Sequence, residues 1–449
     1  MTALLFDTPP VLFLSCIISF ILRCRRSEGT MTTEDLLQPT LHVEVLVTGR
    51  EHPPHVLSEI RSSVADRLKE ELVSVKIGEE IKLFDEIAQG QHIESIQVVD
   101  YTGRENSAHI YNLNDVQLDI QPYTLHNETG NRRAIQQQDE SDTGQTRVLA
   151  LPNAILHAAW NSLVFEDALP ARLLRYLVRM VGMMSQPGLN LSTFNWIRVC
   201  LLHGPAGSGK STLCRALAQK LSIRLGHLYE TSTLMEINAN AMLSKYFGES
   251  GKIISATFDG VVGMAQDRGR FVCVVMDEVE TIAGCRDKSA SGSECRDGLR
   301  ATNQLLTALD RLRDLPNVLV LCTSNLMEAI DPAFLDRVDI KQLVPSPSTA
   351  AIYNIFRSCI NELIKSSLID ATTSTSSPTA TSHEVSSQPS SPFNWDQWIP
   401  VSTAMIPTFA EMQGLAMFTY GRVCSVDDAV SALEAAVAQE LAGAQCGRG

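Results

Sequence analysis

Gly204-Pro205-Ala206-Gly207-Ser208-Gly209-Lys210-Ser211 follows directly on the apolar run WIRVCLLH (196–203) and opens a helical stretch from Ser211 to Leu221. Strand, then GxxxxGK[ST], then helix is the setting in which this pattern has a physical reason. The glycines let the backbone curl around a phosphate with its N–H groups pointing inward, and the dipole of the following helix adds partial positive charge at the same spot. Lys210 is expected to neutralise the β- and γ-phosphates of a nucleotide, and the Ser211 hydroxyl to ligate Mg²⁺. The expected nucleotide-binding set is therefore Gly204, Pro205, Ala206, Gly207, Ser208, Gly209, Lys210, Ser211 and Thr212, completed by Asp277 further along.

That aspartate closes a second motif. Phe271-Val-Cys-Val-Val-Met-Asp277-Glu278 is an apolar strand ending in two carboxylates, which would project from the C-terminal edge of an open α/β sheet, where ligands bind. Asp277 is the expected Mg²⁺ partner, and Glu278 is suited to orient and polarise an attacking water. The next apolar strand, Val318–Cys322, runs into Thr323-Ser324-Asn325. The Asn325 amide is a candidate sensor of the γ-phosphate; a cap on the turn before Met327 is the other reading. Asp336-Arg337 offers a guanidinium suited to bidentate contact with phosphate oxygens on a neighbouring subunit, or an ordinary surface salt bridge. In Ser244-Lys245-Tyr246-Phe247-Gly248-Glu249, two aromatics stand beside a cation and a glycine. Such a loop would line the pore of a subunit ring and grip a polypeptide, or else pack its aromatics into a core. Cys285–Glu294 (CRDKSASGSE), polar and flexible in composition, is a second pore-facing candidate.

Bulk properties narrow the classes. A chain of 449 residues, 44% of them apolar, is long enough for two or three domains with their own cores. With 51 acidic against 37 basic residues the net charge is −14, and no long Lys/Arg run forms a stripe that would track phosphates, so nucleic acid is not the expected partner. The 11 cysteines show no CxxC pair and no histidine at zinc-ligand spacing, which reads as reduced thiols. Cys200, Cys273 and Cys322 fall in apolar strand-like runs, where cysteine acts as a small hydrophobe. The apolar stretch Val11–Leu22, followed by Arg23, Arg25 and Arg26, is shorter than the roughly 20 residues of a spanning helix and carries its charge on the wrong side for a signal peptide. It is read as an upstream extension, with Met31 the working start, or as a membrane or organelle anchor.

Along the chain, LHVEVLV (41–47), a helical stretch with Val56, Ile60, Val64 and Leu68 on one face, and strand-like pieces at 93–99 and 116–120 read as a small α+β domain. From 151 to 343, short apolar strands alternate with helical periodicity, as in a parallel sheet covered by helices on both faces. The helix expected over 296–312 sets Leu299, Leu305, Leu306 and Leu309 on one face. Another is expected over 349–366, and a last one over 425–441, capped by Ser425. Between them the Ser/Thr/Pro-rich stretch 366–392 has little with which to build a core.

GPAGSGKSTLCRALAQKL, SKYFGESGK, VVMDEVE, SECRDGLRATNQLLTALDRL, TSN and DPAFLDRVDIKQ, in this order, resemble the pachytene checkpoint family of AAA+ ATPases, also called the thyroid-receptor-interacting AAA+ ATPases. LHVEVLV and HAAWNSLVFED (157–167) are similar to that family's N-terminal domain and linker, which sets it apart from other AAA+ proteins. The resemblance covers residues 40–365 and the last helix. It implies an α/β AAA+ P-loop fold with a small helical lid and an N-terminal α+β domain that recognises substrate or adaptor. The division expected is an N-terminal extension (1–39), N-terminal domain (40–126), linker (127–150), large ATPase domain (151–343) and lid (344–449) with insert 366–392.

The resemblance further implies a homohexamer that uses ATP and Mg²⁺ to unfold part of HORMA-domain proteins, converting closed conformers to open ones with an adaptor's help. Its settings would be meiotic chromosomes and the spindle-assembly checkpoint, in nucleus and cytoplasm. Carried over by motif, Lys210 and Ser211 bind nucleotide, Glu278 supports hydrolysis, Asn325 senses the γ-phosphate, Arg337 is the finger, and Lys245, Tyr246, Phe247 and Gly248 form the grip. One departure stands out. The family's lid helix opens with Gly-Leu-Ser-Gly-Arg and is followed by a stretch like LPFLAHA. Here either Gly421-Arg422 supplies that arginine, or Leu415–Tyr420 matches LPFLAHA and the arginine segment is missing. A missing lid arginine would leave a nucleotide-gated scaffold with weak turnover, and Val11–Leu22 alone would favour a membrane-anchored translocase; both are alternatives to the remodeller.

Overall fold

A computed structural model describes residues 39–49, 52–81, 87, 89–103, 110–127, 146–165, 167–185, 197–239, 242, 250–284, 293–365, 369–370 and 424–425. They fall into two compact units, each with its own sheet.

The N-terminal unit is built on strands β1 (Thr40–Val47), β2 (Ser74–Lys76), β3 (Glu80–Ile81), β4 (Ile93–Tyr101), β5 (Ile110–Asn112) and β6 (Gln117–Tyr123), with helix α1 (Pro54–Glu71). Four of the strands form one sheet in the order β3-β4-β1-β6, and β2 and β5 pair separately. Ile60, Val64 and Leu68 of α1 are buried at the i, i+4, i+8 spacing expected of a helix with one face on a core. Arg61 donates to the carbonyl of Ile120 at 2.9 Å, tying helix to sheet. The α+β reading of this region therefore holds, with the short strands β2, β3 and β5 added.

In the second unit, strands β7 (Thr146–Leu151), β8 (Val199–His203), β9 (Thr231–Asn238), β10 (Arg270–Asp277), β11 (Val318–Ser324) and β12 (Ile340–Leu343) alternate with α2 (Leu169–Met184), α3 (Lys210–Arg224), α4 (Ser250–Ala265) and α5 (Ser293–Arg311), and α6 (Thr349–Lys365) follows. The sheet order is β12-β8-β11-β10-β9-β7, all parallel except β7, which runs antiparallel along β9. Alternation along β10 explains why it is central. Val272, Val274 and Met276 enter one core with Ile254 and Phe258 of α4 and Leu305 and Leu309 of α5. Phe271, Cys273 and Val275 enter the other, with Leu177 of α2 and Leu213, Leu217 and Leu221 of α3. A strand apolar on both faces must lie inside a three-layer sandwich.

One sequence expectation changes here. The linker drawn over 127–150 gives way at Thr146 to β7, whose run TRVLAL has the alternation of an edge strand and pairs with β9 from Thr146 opposite Ile237 to Leu151 opposite Ser232. Ser425 ends the two-residue strand β14 (Cys424–Ser425), parallel to β13 (Ile369–Asp370), and the helix expected after it lies outside the described residues. The helices expected over 296–312 and 349–366 appear as α5 and α6; Leu305, Leu306 and Leu309 are buried, and Leu299 is half-buried. The pore-loop residues Lys245, Tyr246, Phe247 and Gly248, the second loop from 285 to 292, Val11–Leu22, and the lid segment with Arg422 lie outside the described residues.

Candidate nucleotide-hydrolysis site

Strand order positions the site. From β8 the chain crosses to β9 at the far side, returns through β10 and β11, and then passes beyond β8 to β12. The connections diverge at β8, and ligands bind at such a switch point, outside the carboxyl ends of the strands. Register brings the motifs to this one edge, since His203 pairs with Ser324 and Met276 with Cys322. The phosphate loop, the acidic pair and Asn325 therefore follow neighbouring strand ends, as the sequence order predicts.

The loop itself depends on backbone that side chains disfavour. Gly204, Gly207 and Gly209 have φ of +149°, +74° and +84°, and Gly209 stands immediately before α3. A Cβ on Gly204 would lie 2.2 Å from the carbonyl oxygen of Val344, a backbone atom that cannot turn aside, whereas one on Gly207 would meet nothing within 4 Å. Gly204→Ala is accordingly expected to cost about 1–3 kcal/mol in thermal denaturation, and Gly207→Ala less. Lys210 folds back over the loop, its Nζ donating to the carbonyls of Gly204 at 2.9 Å and Pro205 at 2.6 Å and to Ser208 Oγ at 3.3 Å. Burial lowers its pKa, and Glu280 and Asp277 oppose that shift. Three acceptors that hold the ammonium in place are what phosphate oxygens would share or replace.

The acidic pair is held by β11. Thr323 Oγ donates to Asp277 Oδ1 at 2.9 Å and accepts from the backbone N–H of Glu278 at 3.2 Å. Glu278 has φ +55° and ψ +49°, a left-handed conformation rare outside glycine, at the start of the turn Val279–Thr281. Its carbonyl accepts from the Thr281 hydroxyl at 2.9 Å. Glu280 Oε1 accepts from the backbone N–H of Asn325 at 2.9 Å, a second tie between the two strand ends. On the far side of Asp277, Arg215 of α3 lies 3.6 Å from Oδ2 and pairs at 2.5 Å with Glu236, which also meets Arg147 at 3.5 Å.

Beside the loop lies a cavity of about 470 Å³, walled by Leu163 and Phe165 before α2, Gly207 and Thr212 of the loop, and Pro345 and Ile355 at the entrance to α6. The volume and its largely apolar wall suit a small planar ligand. Leu163 and Phe165 fall within HAAWNSLVFED (157–167), which marks a family resemblance and not a cavity, and Pro345 and Ile355 come from a separate segment with no spacing in common. Thr323 and Glu280 each sit in the sequence between more conspicuous neighbours.

Arg337 is placed differently. Its Nε and NH2 donate to Asp310 Oδ1 and Oδ2 at 3.0 and 2.8 Å, and NH1 donates to the Ala333 carbonyl at 2.7 Å. The hydrogen bonds to Asp310 raise its pKa. Within one chain the salt-bridge reading of this arginine is thus the one observed, in the same bidentate geometry that phosphate oxygens would accept.

A phosphate loop at the switch point of a parallel sheet, with a paired carboxylate strand end beside it, defines a P-loop nucleotide hydrolase, and the family match places it in the AAA class. Residues 200–346 match the family described as ATPase family associated with various cellular activities (AAA), and residues 36–128 match the TRIP13 N-terminal domain. The Danio rerio protein named pachytene checkpoint protein 2 homolog is 35% identical over 346 residues, 76% of this chain and 78% of that protein. Its Arabidopsis thaliana counterpart is 45% identical over 221 residues, 49% of this chain and 47% of that protein. The solved structure of C. elegans PCH-2 superposes with a TM-score of 0.58 at 28% identity, covering 74% of this chain and 80% of that one. The chain belongs to the pachytene checkpoint protein 2 family of AAA ATPases.

Proposed function

We propose that this ATPase works as a hexameric ring that partly unfolds HORMA-domain proteins, converting closed conformers to open ones in control of meiotic chromosome axes and recombination and of the spindle-assembly checkpoint. The observation that carries the reading is the pairing of two domains in one chain: a match to the family's own N-terminal domain at 36–128 together with a AAA match at 200–346. AAA domains drive many processes; the N-terminal domain narrows the client, which it would engage through an adaptor. The net charge of −14 favours protein over nucleic acid as the partner. The work would take place on chromosomes in the nucleus and in the cytoplasm.

In this reading ATP is the substrate, and the purine occupies the cavity between Phe165 and Ile355. Gly204 to Thr212 cradle its phosphates, with Lys210 exchanging backbone carbonyls for phosphate oxygens. Ser211 and Asp277 offer only hard oxygen donors, the set that suits Mg²⁺, which when bound would neutralise charge on the phosphates. Glu278 orients and polarises the attacking water, and Asn325 holds the γ-phosphate side of that water. Arg337 exchanges Asp310 for the γ-phosphate of the neighbouring subunit, which makes turnover depend on ring assembly. Lys245, Tyr246, Phe247 and Gly248 grip the client in the pore.

The reading is tested by recovering clients on a Glu278→Gln chain in the presence of ATP, where blocked hydrolysis should hold the client in the ring. A HORMA-domain protein enriched over the wild-type chain is the expected result. Recovery of no HORMA-domain protein under conditions where the variant binds ATP contradicts it.

A further inference from the structure

The geometry points to Thr323 as a positioning residue for hydrolysis: its single hydroxyl fixes the Asp277 carboxylate and the Glu278 backbone together, so that metal ligand and water-orienting base are set as one unit. The inference rests on the roles given above to Asp277 and Glu278.

Thr323 is 3% exposed and lies on β11 between Cys322, which pairs with Met276, and Ser324, which pairs with His203. A threonine hydroxyl has one proton and two lone pairs. Here the proton goes to Asp277 Oδ1 at 2.9 Å and a lone pair receives the Glu278 N–H at 3.2 Å. Both contacts are needed for different reasons. The first removes rotational freedom from a carboxylate whose other oxygen faces Arg215 at 3.6 Å, leaving its orientation defined from two sides.

The second contact anchors the amide of a residue held at φ +55°, a conformation that a non-glycine residue keeps only where its surroundings over-determine it. That backbone rotation decides where the Glu278 side chain leaves the strand end. Glu280, taking the Asn325 N–H at 2.9 Å, closes the same junction from the opposite direction. The tip of β10 and the tip of β11 are thereby one hydrogen-bonded assembly, and a single atom, Thr323 Oγ, touches both acidic residues. A general loss of packing would act on binding and turnover alike; loss of this hydroxyl should act on turnover.

Four full-length proteins test it: wild type, Thr323→Val, Thr323→Ser and Glu278→Gln. Valine keeps the shape and removes both contacts; serine keeps the hydroxyl. Thr323→Val should lower kcat by about 10–100-fold with KM nearly unchanged, the usual size of effect when a group orienting a ligand or base is removed. Binding of a fluorescent ADP analogue without metal should stay close to wild type, and the melting temperature should fall by no more than one stranded N–H costs, a few degrees. Thr323→Ser should restore kcat to within about threefold of wild type, the rotamer freedom of serine accounting for the difference. If Thr323→Val does not fold, Thr323→Ala takes its place under the same expectations. The inference is overturned if the hydroxyl-free variant turns over like wild type while Glu278→Gln is inactive, if serine is as slow as valine, or if ADP affinity falls in step with kcat. If Glu278→Gln itself turns over like wild type, the assignment of the acidic pair fails first.

Discussion

Glu278→Gln is expected to lower steady-state ATP turnover by about 10²–10⁴-fold, the range attributed to a positioned general base, with nucleotide affinity within a few-fold of wild type. The substitution is isosteric and leaves the backbone amide that Thr323 accepts from, so the left-handed turn at φ +55° retains its anchor. What it removes is the negative charge that would polarise water. Lys210 and the loop glycines act on ground-state binding, and the Lys210 ammonium is held by Gly204, Pro205 and Ser208 of the loop itself. A coupled-enzyme ATPase assay alongside fluorescent-nucleotide titration separates the two quantities. Equal turnover in variant and wild type would move the base elsewhere in the site.

Arg198→Met should destabilise the ATPase unit by about 3–5 kcal/mol, as expected when one member of a buried charged network is removed, and thermal denaturation measures it. Arg198 is fully buried and has φ +63°. Its Nε donates to the Val318 carbonyl at 2.9 Å, and NH2 donates to the carbonyls of Leu312, Arg313 and Leu315 at 2.7, 3.3 and 2.9 Å. These carbonyls belong to the exit from α5 and the start of β11, where a helix end would otherwise leave acceptors unsatisfied. Burial pulls the guanidinium pKa down to about 10, with Asp339 opposing, and Asp339 in turn accepts from the Val199 N–H at 3.0 Å. Methionine fills much of the space but offers no donors, so each stranded carbonyl bears its own desolvation penalty. An unchanged melting temperature would mean that water satisfies them.

Arg198 also shows where reading a sequence stops. Within WIRVCLLH it looks like an interruption in an apolar strand, and only the tertiary fold brings the α5 exit to it. The phosphate loop and acidic pair were legible because their chemistry is local: eight consecutive residues shape the loop, and one strand end carries both carboxylates. β10 was legible because a strand buried on both faces is apolar throughout. β9, with TSTLMEIN, and β7, hidden at the end of a polar tract, were not, since each takes its identity from its partner in the sheet. Thr323 stands in a run whose conspicuous residue is Asn325; a hydroxyl's role depends on what lies across the ladder. The Asp310 partner of Arg337, 27 residues away, was invisible for the same reason.

In the proposed function, ATP turnover at Lys210, Asp277 and Glu278 does mechanical work on a HORMA fold. The most direct measurement follows a purified closed HORMA-domain protein, with adaptor, by ion-exchange separation of its conformers after incubation with this chain and ATP. Conversion to the open conformer that requires ATP and disappears with Glu278→Gln is the predicted result. ATP consumed at the wild-type rate with the closed conformer unchanged would contradict it.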